Sequence, residues 1–281
     1  MDKEVGVELR KRFRASEWER LMGGFTNDVY LLKGTKPLLV AKVAQWSSQD
    51  MENEVKVLKF LETTSYTPKV IDLFSINNKQ IIVFTYAEGM NGQAILDTGD
   101  HKRSINLFRG MGVRLADIHS HSYSGNPSGL RFADFEMLLY DLSFVPKELV
   151  KKSERLLQHL DRNKREWTLT HGDFGSHNIL TDEECLTVID WEWAEWGHPL
   201  IDLAWTCWNT KLHYTAIADE LNQIFLNAYK AQREVVYSPE LIKTYSLYKL
   251  WMILYRVQHA DEETQQKWIN RLEWTFENEI I

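Results

Sequence analysis

Two carboxylates and one amide in the middle of the chain have a spacing that can do chemistry. Asp173 stands in "LTHGDFGSHNIL" with Asn178 five positions on, and Asp190 closes "LTVID". Between them "NIL", "TDEE" and "LTVID" read as strand, turn and returning strand, which brings Asn178 and Asp190 together. An amide oxygen and a carboxylate are hard donors that suit Mg2+ beside waters and nucleotide phosphates. Asp173 can accept or orient the proton of an attacking hydroxyl. Phosphoryl transfer consists mainly of such positioning and charge neutralisation. Upstream, "VAKV" puts Lys42 on a strand, able to reach phosphates, and Glu54 in "ENEVKVLKFL" is its natural ion-pair partner.

These residues need a frame. "DVYLLKG" and "PLLVAKVA" read as strands parted by the turn "GTKP". "SQDMENEVKVLKFLE" reads as a helix with Met51, Val55, Leu58 and Leu61 on one stripe and Ser48 as N-cap. "PKVIDLFS" and "QIIVFTYA" are strands around the hairpin turn Asn77-Asn78. Residues 1–87 therefore predict a small antiparallel sheet carrying one helix. Past "EGMNG", "HKRSINLFRGMGVRLADIHSHS" and "PKELVKKSERLLQHLDR" are helical, and nearly everything beyond residue 199 is helix-compatible. The expected fold is α+β, with a sheet-based N-terminal domain over 1–87 and a mostly helical domain over 88–281.

Composition narrows the field. The 281 residues are 44% hydrophobic, and 33 basic against 40 acidic side chains give a net charge of −7. That balance argues against a nucleic-acid binder and leaves room for a cationic small substrate. No apolar run has the length of a membrane span, and "MDKEVGVELRKRF" is too charged for a signal peptide, so a cytoplasmic location is expected. Cys185 and Cys207 make neither a disulfide framework nor a cysteine zinc site.

Asp173-Phe174-Gly175 also spells the metal-binding triplet of protein kinases. A catalytic loop should then lie upstream, and "HLDRNKRE" has Glu166 where an asparagine is required. With Asp173 as the base, Asn178 takes the required fifth position and Asp190 the end of the hairpin. The chain resembles the aminoglycoside phosphotransferase and choline kinase family, small-molecule kinases of the protein-kinase-like fold. "LTHGDFGSHNIL", "VIDWEWAEWGHPLIDLAW" and "VAKV…ENEVKVLKFL" carry the resemblance, which covers roughly residues 20–210. It implies Asp173 as catalytic aspartate, Asn178 and Asp190 as Mg2+ ligands, and Lys42 with Glu54 positioning the phosphates of ATP or GTP. "GGFTNDVY", with Thr26 and Asn27, would lie over the phosphates, and the backbone of Tyr86 and Ala87 would face the adenine edge. His171 is expected to brace its loop; a single metal held by His171, His177 and Asp173 is the alternative.

About eleven residues separate Asp190 from Asp202, too few for the segment on which protein kinases seat a peptide. A small acceptor is expected, and Asp202 reads as the N-cap of "LAWTCW". Tryptophan faces attract organic cations. An acceptor pocket of Glu192, Trp193, Glu195, Trp251, Asp261 and Glu262 is therefore expected, for an aminoglycoside first. A choline- or ethanolamine-type acceptor or another small metabolite is the alternative. The plain reading is that the tryptophans pack helices and the acids face water. A non-catalytic nucleotide-binding module is the alternative from another class.

Overall fold

Alternation of inward and outward side chains near the N-terminus produces a five-stranded antiparallel sheet in the computed structural model, which describes residues 3–21, 27–44, 48–125, 129–135, 142–182 and 185–281. The chain runs α1 (Lys3–Phe13), β1 (Glu17–Arg20), β2 (Asn27–Lys33), β3 (Leu39–Ala44), α2 (Ser48–Phe60), β4 (Val70–Ile76), β5 (Lys79–Thr85) and β6 (Met90–Asn91). It continues through α3 (Gly92–Asp97), α4 (His101–His119), β7 (Arg131–Phe132), α5 (Lys147–Leu157), β8 (Thr168–Thr170), β9 (Ile179–Thr181), β10 (Leu186–Val188) and β11 (Glu195–Gly197). The helices α6 (Leu200–His213), α7 (Ala218–Lys230), α8 (Pro239–Arg256) and α9 (Glu262–Glu277) complete it. Described residues fall into two compact units: Met1–Gly92, Pro127–Leu130 and Asn178–Ala194 in one, and Gln93–Asn126, Arg131–His177 and Glu195–Ile281 in the other.

In the first unit the strand order is β1-β2-β3-β5-β4. Asn77 and Asn78 take φ of 48° and 64°, the left-handed pair that a two-residue hairpin turn requires. Every residue of β3 is buried, because helices cover both faces of the sheet. Val5 and Leu9 of α1 pack with Tyr30, Leu32, Ala41, Ile81 and Val83. Met51 and Val55 of α2 pack with Ala44 and Ile82. The sheet thus carries two helices where one was expected. "KEVGVELRKRF" hides α1 because only a narrow stripe is apolar, and Gly6 is needed where the Trp18 ring passes: a Cβ there would stand 2.5 Å from it. Ser48, expected as the cap of α2, is its first residue. A second sheet, β10-β9-β6, belongs to the same unit.

The other unit is mostly helical around a short sheet, β7-β11-β8. Its core holds Phe108, Phe174, Trp208, Phe225, Tyr229, Tyr245 and Tyr248, all fully buried. Phe108, Met111, Leu115 and Ile118 form the buried stripe of α4. Among the described residues no helix is long and apolar enough to cross a membrane.

Candidate active site

Strand register sets a charged cluster within the first unit. Lys42 alternates with Ala44 on the face of β3 that α2 covers, so its long side chain runs under that helix toward Glu54. Lys42 Nζ donates to Glu54 Oε2 at 2.7 Å, Asp190 Oδ1 at 2.5 Å and Glu192 Oε2 at 3.4 Å, one acceptor for each of its protons. Lys42 and Glu54 are buried, whereas the Asp190 side chain keeps 31% of its surface exposed. Burial works against the charge of Lys42, but Asp190, Glu54 and Glu192 outweigh it and hold the lysine well above its ordinary pKa. Burial drives Glu54 the other way, upward; Lys42 opposes this and the neighbouring acids add to it.

The hairpin supplies the next pair. Val188 sits opposite Ile179, and the Ile189 N–H donates to the Asn178 carbonyl at 3.0 Å. Asn178 and Asp190 therefore flank the open end of β9 and β10. Asp190 has a φ of 64°, a left-handed conformation that is costly for a residue with a side chain. Asn53 on α2 ties the following segment down, donating to the carbonyls of Glu192 at 3.3 Å and Ala194 at 2.8 Å. Asn27 donates to Glu192 Oε2 at 3.1 Å. The Tyr86 N–H is taken by the Leu38 carbonyl at 2.9 Å, and Ala87 is half-buried. Thr26 lies outside the described residues.

In the second unit Asp173 follows β8 on a tight loop. Gly172 has a φ of 78°, which glycine adopts without strain. Asp173 Oδ1 accepts from Trp205 Nε1 at 2.6 Å, and Oδ2 lies 3.3 Å from His177 Nε2. Burial raises the Asp173 pKa, but the His177 hydrogen bond and the charges of His177, Lys249 and His171 outweigh burial and hold the carboxyl well below the usual range. The loop is pinned from beneath by Asp202, which accepts the His171 N–H at 2.7 Å and the Gly172 N–H at 2.8 Å. His119 Nε2 lies 3.1 Å from Asp202 Oδ2, and its Nδ1 lies 2.8 Å from Tyr229 Oη. Asp202 is therefore no N-cap: Pro199 holds that position of α6, and Asp202 faces inward from the first turn. His171 Nδ1 accepts the Asp173 N–H at 3.2 Å. Among the described residues no group of three or more His, Cys, Asp or Glu side chains is arranged to hold a metal ion by itself.

The six residues expected to line an acceptor pocket have other occupations. Glu192 is buried against Lys42 and Asn27 in the first unit, where Trp193 is half-buried. Glu195 is buried and accepts from Tyr248 Oη at 3.1 Å. Trp251 is buried in α8, Asp261 caps α9 by accepting the Thr264 N–H at 2.8 Å, and Glu262 is exposed beside it. Trp205 stacks on Trp208 at 4.7 Å between ring centroids, and Trp208 meets Trp274 edge-on at 6.1 Å. Sequence reasoning missed Asp202 as a brace, Trp205 as a ligand of Asp173, and Lys249. Both charged residues carried a signal: each is a lone charge inside an apolar helical run, "LIDLAW" and "YKLWMIL".

Similarity to known proteins agrees with this architecture. The model of the phosphotransferase enzyme family matches residues 17–238. A crystal structure of the aminoglycoside phosphotransferase APH(4)-Ia in ternary complex with AMP-PNP and hygromycin B superposes with a TM-score of 0.72 at 15% identity, over 98% of each chain. Amicoumacin kinase hAmiN, in complex with AMP-PNP, Ca2+ and Ami, gives 0.72 at 14% identity over 100% of this chain and 95% of that one. Acyl-CoA dehydrogenase family member 10 of Mus musculus is 43% identical over 187 residues, 57% of this chain and 17% of that protein. Family member 11 of Homo sapiens is 47% identical over 55 residues, 18% of this chain and 7% of that protein. The chain thus spans less than a fifth of the curated relatives it matches. It belongs to the phosphotransferase enzyme family and has its kinase-like α+β fold.

Proposed function

We propose that the protein transfers the γ-phosphoryl group of ATP or GTP to a hydroxyl of a small acceptor, with Asp173 as the base. The carrying observation is the geometry of Asp173: a carboxylate with one oxygen oriented by Trp205 and its loop pinned by Asp202. Such a group accepts the hydroxyl proton as the acceptor oxygen bonds to phosphorus, and the nucleoside diphosphate leaves with the electrons of the broken P–O bond. Asn178 and Asp190 form a hard-oxygen pair at the mouth of one hairpin, a donor set that fits Mg2+. When bound, that ion supplies charge neutralisation at the β- and γ-phosphates. Lys42, braced by Glu54, orients the phosphates; Tyr86 offers adenine its carbonyl and Ala87 its N–H. In this reading the first unit serves the nucleotide and the second the acceptor.

For the acceptor, an aminoglycoside is supported by the solved structures that share the fold. A second reading, an anionic metabolic acceptor, is favoured by the basic groups around His213. His213 titrates below its ordinary range, through burial first and then the charges of Arg271, His177 and Lys267. A shallow cavity of about 500 Å3 is lined by Glu263, Gln266, Lys267, Asn270 and Arg271. The test is diphosphate release with Mg2+ and ATP or GTP over hygromycin B, choline, a neutral sugar and a hydroxyacyl-CoA. Turnover on one class identifies the acceptor. Nucleotide binding with no acceptor-dependent turnover across the panel would favour a binding module instead.

A further inference from the structure

Lys249 lies at the middle of α8 in the apolar run "YKLWMIL", 3% exposed. Burying an ammonium is costly unless other charges compensate it. Its Nζ stands 5.7 Å from the centroid of the Trp205 ring, a cation–π distance. That same indole donates to Asp173 Oδ1 at 2.6 Å. The charged groups facing Lys249 are Asp173 after β8, Glu195 on β11, Asp202 on α6 and, on its own helix, Arg256. Glu195 is in turn held by the hydroxyl of Tyr248, the neighbour of Lys249 in α8. One lysine thus sits among the proposed base, the carboxylate that pins its loop, and a third acid.

We propose that Lys249 is a positioning residue for phosphoryl transfer: its ammonium, held over Trp205, compensates the Asp173 carboxylate and fixes the indole that orients it. This rests on the assignment of Asp173 as the base. The need is physical. An uncompensated carboxylate repels the phosphoryl oxygens that must approach it, and a nearby buried cation removes that repulsion without competing for the acceptor hydroxyl. Burial pulls Lys249 down to about 8, with Asp173, Glu195 and Asp202 opposing and Arg256 adding. Compensation is then present at neutral pH and lost as pH rises through that value.

The test is the pH profile of kcat at saturating ATP and Mg2+, with the acceptor that turns over, for wild type, Lys249→Met and Lys249→Arg. Wild type should lose activity with a midpoint near pH 8. Lys249→Met should lower kcat at pH 7 about 10- to 100-fold, leave the nucleotide KM within about twofold, and lack that limb. Lys249→Arg should restore most of the rate and carry the limb out of range. A second readout needs no turnover: the wild-type tryptophan fluorescence should step near pH 8, and the step should vanish in Trp205→Phe and in Lys249→Met. A folded Lys249→Met with wild-type kcat and an unchanged alkaline limb overturns the proposal. So does turnover without the fluorescence step. A wild-type step with no turnover on any acceptor removes the assignment of Asp173, and the proposed role with it.

Discussion

Asp202→Asn keeps the shape of a buried side chain and removes its charge. Asp202 accepts two backbone N–H groups, from His171 at 2.7 Å and Gly172 at 2.8 Å, one on each oxygen. Asn has one acceptor oxygen, so one of those N–H groups would meet an NH2 group instead. Hydrogen bonds to charged groups contribute about 1.5–3 kcal/mol each, and a buried donor left unsatisfied costs about 1–3 kcal/mol. The sum is a destabilisation of about 2.5–6 kcal/mol. The loop that carries Asp173 should also shift, and a displacement near 1 Å costs about 100-fold in rate. The assay pairs urea unfolding, followed by tryptophan fluorescence, with diphosphate release. A loss under about 1 kcal/mol with unchanged kcat would refute the claim that Asp202 holds the catalytic loop.

Two further substitutions probe the lysine cluster and the half-buried His198. Lys42→Met leaves Glu54, Asp190 and Glu192 around an uncharged side chain. It should lower kcat/KM for nucleotide at least 100-fold, on the order of the loss of one buried electrostatic contact. Because Glu54 has its pKa raised to about 7 in the fold, the folded chain keeps a proton that the unfolded chain has lost, so stability of the variant should fall as pH rises from about 4.5 through 7; a flat profile would contradict this. His198, stacked on Tyr245 at 5.0 Å, is pushed down to about 4, by burial first, with Asp161 opposing and His119 adding. The unfolded chain takes up that proton first, so the contribution is fully present above pH 6.5 and is lost as pH falls toward 4, by at most about 3 kcal/mol. His198→Asn should flatten the Tm-against-pH curve over that window, and parallel curves would count against it.

What the sequence revealed follows from what periodicity and spacing encode. The strands of the first sheet, the Asn77-Asn78 turn and the α4 stripe announce themselves through local alternation and turn chemistry. Lys42 on a strand, Glu54 on the next helix and the hairpin between Asn178 and Asp190 were legible because strand, helix and hairpin are local patterns. α1 was not, since its apolar stripe is narrow and charge dominates its composition. The surroundings of the residues expected to line an acceptor pocket were not legible, because burial is a tertiary property. Glu192 and Glu195 look like free acids between tryptophans, yet Lys42 with Asn27 engages one and Tyr248 the other. Asp202 read as a cap because its partners, His171, Gly172 and His119, are distant in sequence and only the fold brings them to it.

General-base chemistry at Asp173 is tested most directly by acceptor-dependent diphosphate release from Asp173→Asn beside wild type, with nucleotide affinity measured on both. The introduced amide would keep the hydrogen bond from Trp205 through its carbonyl oxygen and lose the basic oxygen. The expected result is a fall in kcat of at least 100-fold, the scale of one general base, with nucleotide Kd unchanged within about threefold. Wild-type turnover in the variant, or a loss confined to nucleotide binding, would contradict the assignment.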